Sequence, residues 1–125
     1  MIKGISLTDI FIDSKDPAKL REFYYNLTGW EKLDKYGNTP ALVAKDGLAV
    51  LFVECDVPHE PPIWPEEMGK QQKQIHLDFA VDNLQQSVSE AISLGAKLAE
   101  NQFGGEHWVT LLDPDGHPFC FGVDE

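Results

Sequence analysis

Two seven-residue stretches of the chain alternate between apolar and polar positions, LTDIFID at 7–13 and HLDFAVD at 76–82. A period of two is typical of a β-strand that buries one face. After each stretch, apolar residues recur every three or four positions, which indicates an amphipathic helix. The positions that we expect to face these helices are Thr8, Ile10, Ile12, Leu77, Phe79 and Val81.

Capping residues predict where the two helices begin and end. Asp16-Pro17 offers an N-cap and a first-turn proline, and Gly29 follows the first helix. Asp82 is the predicted N-cap of the second helix, with Gln85 at the capping-box position. The predicted apolar stripes are Leu20, Phe23, Tyr24 and Leu27 in the first helix and Leu84, Val88, Ala91 and Ile92 in the second.

Both halves of the chain also predict a β-hairpin. ALVAKDGLAVLFV turns at Asp46-Gly47, and HWVTLLDPDGHPFCFGV turns at Asp115-Gly116. Gly116 lies 69 residues after Gly47, and Asp78 lies 69 residues after Asp9. Two matches at one spacing indicate a duplicated unit of about half the chain.

Each half therefore predicts the element order β-α-β-β-β. We expect one α+β domain over 1–125, in which two tandem βαβββ modules form a curved mixed sheet with a concave cleft. Module one spans 1–55 and module two spans 74–125. The proline-rich segment 56–73 between them is predicted to be an extended linker.

Charge narrows the classes of partner. The chain carries 21 acidic and 10 basic residues, a net charge of −11 that disfavours nucleic acid and anionic membranes and permits a cationic ligand. No apolar run approaches the ~20 residues of a membrane span, and the N-terminus lacks a secretory pattern. We therefore expect a cytoplasmic protein whose two cysteines, Cys55 and Cys120, are reduced thiols.

The chain closely resembles the vicinal-oxygen-chelate superfamily, which contains glyoxalase I, extradiol dioxygenases, fosfomycin-resistance enzymes and bleomycin-resistance proteins. The residues that carry the resemblance are QIHLDFAVDNLQQSVSEAISLGAKL at 74–98 and WVTLLDPDGHPFCF at 108–121, together with the preceding PPIWP. The resemblance covers essentially the whole chain and points to the glyoxalase-like group. It implies the paired βαβββ fold and a homodimer.

The same resemblance implies where a divalent ion would bind, on the first and last strand of each module. Those positions map onto Leu7, Leu51, His76 and Cys120. The two leucines offer no donor atom, and one imidazole with one thiol is a poor set for a tight divalent site. We therefore expect no metal and no other cofactor.

Three cleft residues carry alternative interpretations. His76 is either a general base or donor near neutral pH, or a histidine kept for packing. Asp9 and Asp78 either face a common space, where they would recognise a cation or share a proton, or accept hydrogen bonds at strand ends. Cys120 is either a nucleophile with His76 as its base, or a buried inert thiol.

The expected function is the binding of a small molecule, cationic or aromatic, in a metal-free cleft. One alternative is a metal-independent isomerase or lyase that uses His76 with Asp78 or Asp9, and another is a metal-dependent enzyme of the lactoylglutathione lyase type. His76 is the candidate catalytic residue. The candidate ligand-binding residues are Asp9, Phe11, Leu51, Trp64, His76, Asp78, Trp108 and Cys120.

Overall fold

The computed structural model describes residues 1–123, and the chain divides into an N-terminal unit, Met1–His59, and a C-terminal unit, Glu60–Glu125. Each unit holds one helix and a four-stranded mixed sheet in the order β-α-β-β-β. The predicted α+β class and the two βαβββ modules are therefore confirmed.

The N-terminal unit is a sheet with strand order β1-β4-β3-β2. β1 is parallel to β4, and the other pairs are antiparallel, because only β1 and β4 are joined by a crossover that includes the helix. The predicted hairpin around Gly47 joins β3 to β4. The elements are β1 Asp9–Ser14, α1 Pro17–Thr28, β2 Glu31–Leu33, β3 Ala41–Val43 and β4 Ala49–Glu54.

Helix α1 forms as its sequence predicts. The Asp16 side chain accepts a hydrogen bond from the Lys19 backbone N–H at 3.3 Å, and Gly29 ends the helix in the left-handed conformation. The helix buries Leu20, Phe23 and Tyr24. Tyr24 stacks on Phe52 of β4 with ring centroids 5.8 Å apart, so aromatic packing joins helix to sheet.

The C-terminal unit repeats this topology with strand order β5-β8-β7-β6 and β5 parallel to β8. Its core contains an aromatic cluster in which Phe119 and Phe121 of β8 lie 5.5 Å apart, with Phe79 about 6 Å from each. The elements are β5 Leu77–Ala80, α2 Leu84–Leu94, β6 Lys97–Leu98, β7 Trp108–Leu112 and β8 Pro118–Gly122.

Helix α2 differs from its prediction at both the cap and the stripe. Its N-cap is Asn83, whose side chain accepts from the Gln86 N–H at 3.0 Å, so the predicted cap Asp82 was wrong by one residue. Ala91 is fully buried, whereas Ile92 is exposed. The helix covers its sheet through a narrower contact than α1 does.

The two units are not related by a single spacing. Asp78 pairs with Cys120, whereas in the N-terminal unit Phe11 pairs with Leu51, the residue 69 positions before Cys120. The first strands are therefore related by 67 residues, and the helix caps Asp16 and Asn83 keep that value. The predicted spacing of 69 holds for the final hairpins only, where Ala41 and Thr110 face Leu51 and Cys120.

The segment between the two sheets contains no helix or strand, as its prolines predict. A backbone hydrogen bond from Ile63 N–H to the Gln71 carbonyl, 2.9 Å long, closes it into a loop. None of the helices within residues 1–123 has the length and apolar character needed to cross a membrane.

Candidate functional site

A cavity of about 1000 Å³ opens in the C-terminal unit. Its floor is the exposed face of β5, β7 and β8, which carries His76, Asp78, Thr110 and Cys120. Its walls include Trp64, Phe103 and Trp108. Five of the eight predicted ligand-binding residues line this one cavity: Trp64, His76, Asp78, Trp108 and Cys120.

His76 and Asp78 form a hydrogen-bonded pair on the floor. They flank Leu77, so strand alternation directs both side chains to one face of the sheet. The His76 Nε2 atom lies 3.1 Å from Asp78 Oδ1. The His76 side chain is 39% exposed and that of Asp78 is 73% exposed, so both are accessible to a ligand in the cavity.

Cys120 is the deepest polar residue of the floor. Its Sγ atom lies 3.3 Å from Thr110 Oγ1 on the adjacent strand, and its residue is 8% exposed. Burial raises the pKa of the Cys120 thiol above its ordinary value, and the charge and hydrogen bond of Asp78 act in the same direction. The hydrogen bond with Thr110 lowers the pKa but does not outweigh them. The unmodified thiol is therefore held in its protonated form near neutral pH, which disfavours a thiolate nucleophile.

The register of β5 against β8 brings three different donor types together. Asp78 lies beside Cys120, and His76 precedes it by two positions on the same face. One donor atom from each of these three side chains lies within 4.8 Å of the others. The floor therefore combines an imidazole, a carboxylate and a thiol in a space the size of one ion or one small functional group.

The cavity walls are held by aromatic contacts. The Trp64 ring meets Phe103 edge to face at 6.2 Å, and the Lys73 ammonium, itself 3.4 Å from Glu66, lies 5.3 Å over the Trp64 ring. Gly104 sits so close to Trp108 that a Cβ on it would lie 2.6 Å from the ring atom Cγ. Only glycine fits there, and its close approach fixes the Trp108 ring.

The other three predicted residues belong to the N-terminal unit. Asp9 begins β1, accepts a hydrogen bond from the Tyr36 hydroxyl at 3.1 Å and lines a smaller cavity of about 400 Å³. Partial burial, together with the Asp9 carboxylate, raises the pKa of that hydroxyl. Phe11 is 56% exposed on β1, whereas Leu51 is buried in a core cluster with Ala41 and Ala49.

Sequence reasoning missed Phe103, His107 and Thr110 as cavity residues. Thr110 has a readable signal, since it stands where the repeat has Ala41 and faces Cys120 across two antiparallel strands. Phe103 and His107 lie on the connection between β6 and β7, which carries no repeat signal because its length differs from that of the connection between β2 and β3.

The sequence profile of the glyoxalase-like domain family matches residues 9–122. That match covers most of the chain, and the paired βαβββ topology agrees with it. The chain belongs to the glyoxalase-like family within the vicinal-oxygen-chelate superfamily. None of the curated proteins matches it.

Solved structures share the fold at low sequence identity. A glyoxalase/bleomycin resistance protein/dioxygenase family enzyme from Burkholderia phytofirmans PsJN is 20% identical with a TM-score of 0.69, over 95% of this chain and 98% of that one. A genomically encoded fosfomycin resistance protein from Listeria monocytogenes is 20% identical with a TM-score of 0.70, over 100% and 94%. A glyoxalase-related enzyme from Fulvimarina pelagi is 14% identical with a TM-score of 0.68, over 95% and 88%.

The observed register corrects the metal positions that the family resemblance implies. The residue that stands to Leu51 as His76 stands to Cys120 is Asp9, so the assignment of Leu7 to that position was wrong. Leu51 is buried and has no donor atom, so the implied four-position set does not fit this chain. The expectation that no carboxylate adjoins His76 and Cys120 was also wrong, because Asp78 lies between them.

Proposed function

We propose that this protein binds a small, planar and cationic molecule in the cavity of the C-terminal unit. The observation that carries the proposal is the exposed Asp78 carboxylate on a floor enclosed by Trp64, Phe103 and Trp108. The volume of about 1000 Å³ suits a drug-sized ligand. Recognition through these groups does not depend on a metal.

Two physical effects favour a cation at this site. Tryptophan faces attract cations, by about 0.5–2 kcal/mol per contact depending on exposure. The net charge of −11 raises the local concentration of cations around the whole chain. Asp78 adds a specific partner, and its hydrogen bond with His76 orients the carboxylate.

Titration with proflavine, a planar aromatic cation, tests the proposal through quenching of tryptophan fluorescence. We expect Trp108→Ala and Asp78→Asn each to weaken binding about 3–10-fold, since one aromatic face or one partly screened charge is lost. Asp82→Asn is the matched control, because it removes the same charge from an exposed residue that does not line the cavity.

The proposal fails if Asp78→Asn and Asp82→Asn bind proflavine equally well, since the charge effect would then be general. It also fails if planar anions such as naphthalenesulfonate bind as tightly as proflavine does. Asp9→Asn tests the separate expectation that Asp9 contributes to the same ligand.

A second candidate function is a metal-independent isomerase or lyase, and the His76–Asp78 pair favours it. With Nε2–H donated to Asp78, the neutral imidazole keeps its lone pair on Nδ1, which is the arrangement of a general base. Such an enzyme would exchange a carbon-bound proton of a carbonyl substrate with solvent. Deuterium incorporation into a panel of 2-hydroxy ketones should vanish in His76→Ala and persist in His107→Ala, which changes another cavity histidine.

We also propose that the protein works as a homodimer in the cytoplasm. The family resemblance supports the dimer, and so do the exposed apolar side chains of Ile5, Leu7 and Phe11 beside the edge strand β1. Sedimentation at several concentrations tests this: a monomer at all of them would contradict it.

A further inference from the structure

The polar floor of the cavity combines donors that transition metals prefer. Imidazole nitrogen, carboxylate oxygen and thiolate sulfur are the three ligand types of protein zinc sites. Within residues 1–123, His76, Asp78 and Cys120 are the group of three such side chains whose donor atoms come this close together.

We propose that His76, Asp78 and Cys120 form a binding site for a single zinc-type divalent ion, built entirely within the C-terminal unit. The thiolate selects soft or borderline ions such as Zn²⁺, Co²⁺ or Cd²⁺ over Mg²⁺ and Mn²⁺. Three protein ligands leave one position of a tetrahedral ion open toward the cavity.

The distances suit this ion without backbone movement. Bonds of about 2.0–2.3 Å in a tetrahedral site place neighbouring donor atoms about 3.3–3.7 Å apart. His76 Nε2 and Asp78 Oδ1 lie 3.1 Å apart, and all three donor atoms fall within 4.8 Å. His76 and Asp78 are accessible enough to rotate toward an ion, while β8 fixes the sulfur.

A further contact supports the sulfur as a ligand. The Thr110 hydroxyl lies 3.3 Å from Cys120 Sγ and can donate to it. Hydrogen bonds to ligand atoms orient them and tune the metal. At the equivalent positions of the N-terminal unit, Ala41 and Leu51 offer neither group.

The proposed ligand set differs from the four-position arrangement that the family resemblance implies. That arrangement draws on both modules, and its N-terminal positions here are Leu51, which cannot coordinate, and Asp9, which is hydrogen-bonded to Tyr36. Asp78 lies outside those four positions. It supplies the carboxylate from the same strand that follows His76.

The metal site stands apart from the proposed binding of an aromatic cation, except that both use Asp78. Proflavine and the metal should therefore compete. Proflavine binding by protein freed of metal with a chelator reports on the proposed function alone, and metal binding without proflavine reports on this site alone.

Titration of the full-length, chelator-treated protein with Co²⁺ tests the proposal through absorption. We expect one Co²⁺ per chain, with ligand-field bands of a four-coordinate ion and a sulfur-to-cobalt charge-transfer band. Cys120→Ser should abolish the charge-transfer band, whereas Cys55→Ser, the matched change at the other cysteine, should keep it. Zn²⁺ should displace the cobalt, and Mg²⁺ should not.

Two aspartate variants locate the carboxylate ligand. We expect Asp78→Asn to weaken Co²⁺ binding by about tenfold or more and Asp9→Asn to leave it unchanged. The proposal is overturned if binding is not stoichiometric, if Cys55→Ser removes the band, or if Asp9→Asn weakens binding as much as Asp78→Asn does. Circular dichroism of each variant, with Cys120→Ala as a second sulfur-free form, identifies loss of folding.

Discussion

The N-terminal and C-terminal units share one topology, but they use the same face of the sheet differently. The N-terminal unit fills that face with a hydrophobic cluster of Ala41, Ala49 and Leu51, against which Tyr36 packs. The C-terminal unit leaves it open as the floor of a cavity. The equivalent pairs are Asp9 and His76, Phe11 and Asp78, Ala41 and Thr110, and Leu51 and Cys120.

Three of these four pairs change an apolar residue for a polar one. Polar groups on a sheet face need partners or solvent, and the C-terminal unit provides both through the Thr110–Cys120 contact and the open cavity. In a duplicated fold, one copy has kept this face as core and the other has made it available for binding. The predictions below test that division.

The largest contrast is expected between the two residues at the centre of that face. Leu51→Ala should lower the free energy of unfolding by about 3 kcal/mol or more, because it leaves a cavity in a packed core. Cys120→Ala should lower it by only about 1 kcal/mol, since its surroundings already open to a cavity. Urea unfolding followed by circular dichroism measures both. Equal losses would show that the two faces are packed alike.

The hairpin turns offer a second, smaller contrast. Gly47 and Gly116 both have a positive φ, +94° and +89°, which alanine tolerates poorly. A Cβ on Gly47 would meet no atom within 4 Å, whereas a Cβ on Gly116 would lie 2.8 Å from Pro61 Cβ. We expect losses of about 1 kcal/mol for Gly47→Ala and about 2 kcal/mol for Gly116→Ala by thermal unfolding. A Gly47→Ala loss at least as large would contradict the Pro61 contact.

The smallest effect on stability concerns the Cys120 thiol. Because burial raises its pKa, the folded state favours the neutral thiol; this stabilisation is complete below the ordinary thiol pKa and is lost as the pH rises through the raised value. In a Cys55→Ser protein, alkylation of Cys120 by iodoacetamide should be slow at neutral pH and still increase above about pH 9.

The same protein unfolded in urea is the control, and its alkylation rate should level off at lower pH. Asp78→Asn removes one of the groups that raise the pKa, so it should move the folded profile toward lower pH without abolishing the shift. A folded profile that coincides with the unfolded one would contradict the burial of this thiol.

Local signals made much of the fold predictable. Asp16 and Gly29 mark the ends of α1 through interactions within a few residues, and the glycines of both hairpins mark turns that need a positive φ. Strand alternation correctly placed His76, Asp78 and Cys120 in one cavity. Each of these inferences depends on neighbours that are close along the chain.

Features that depend on pairing between distant strands were less predictable. A uniform spacing of 69 placed Leu7 opposite His76 and Asp82 at the α2 cap, because lengths within the repeat differ between the copies. The Phe103 wall depends on the path of the connection between β6 and β7. The closeness of Asp78 to Cys120 depends on the register of two parallel strands, which no local pattern specifies.

The two-residue difference in register has a consequence for how such a protein could be re-engineered. Moving a strand by one residue would turn every side chain to the opposite face, but moving it by two preserves the faces and shifts each group about 6.6 Å along its neighbour. Inserting or deleting pairs of residues between first and last strands would therefore exchange the chemical groups that meet there while leaving the hydrophobic core intact. In this family, loop length is a means of editing an active surface without designing a new one.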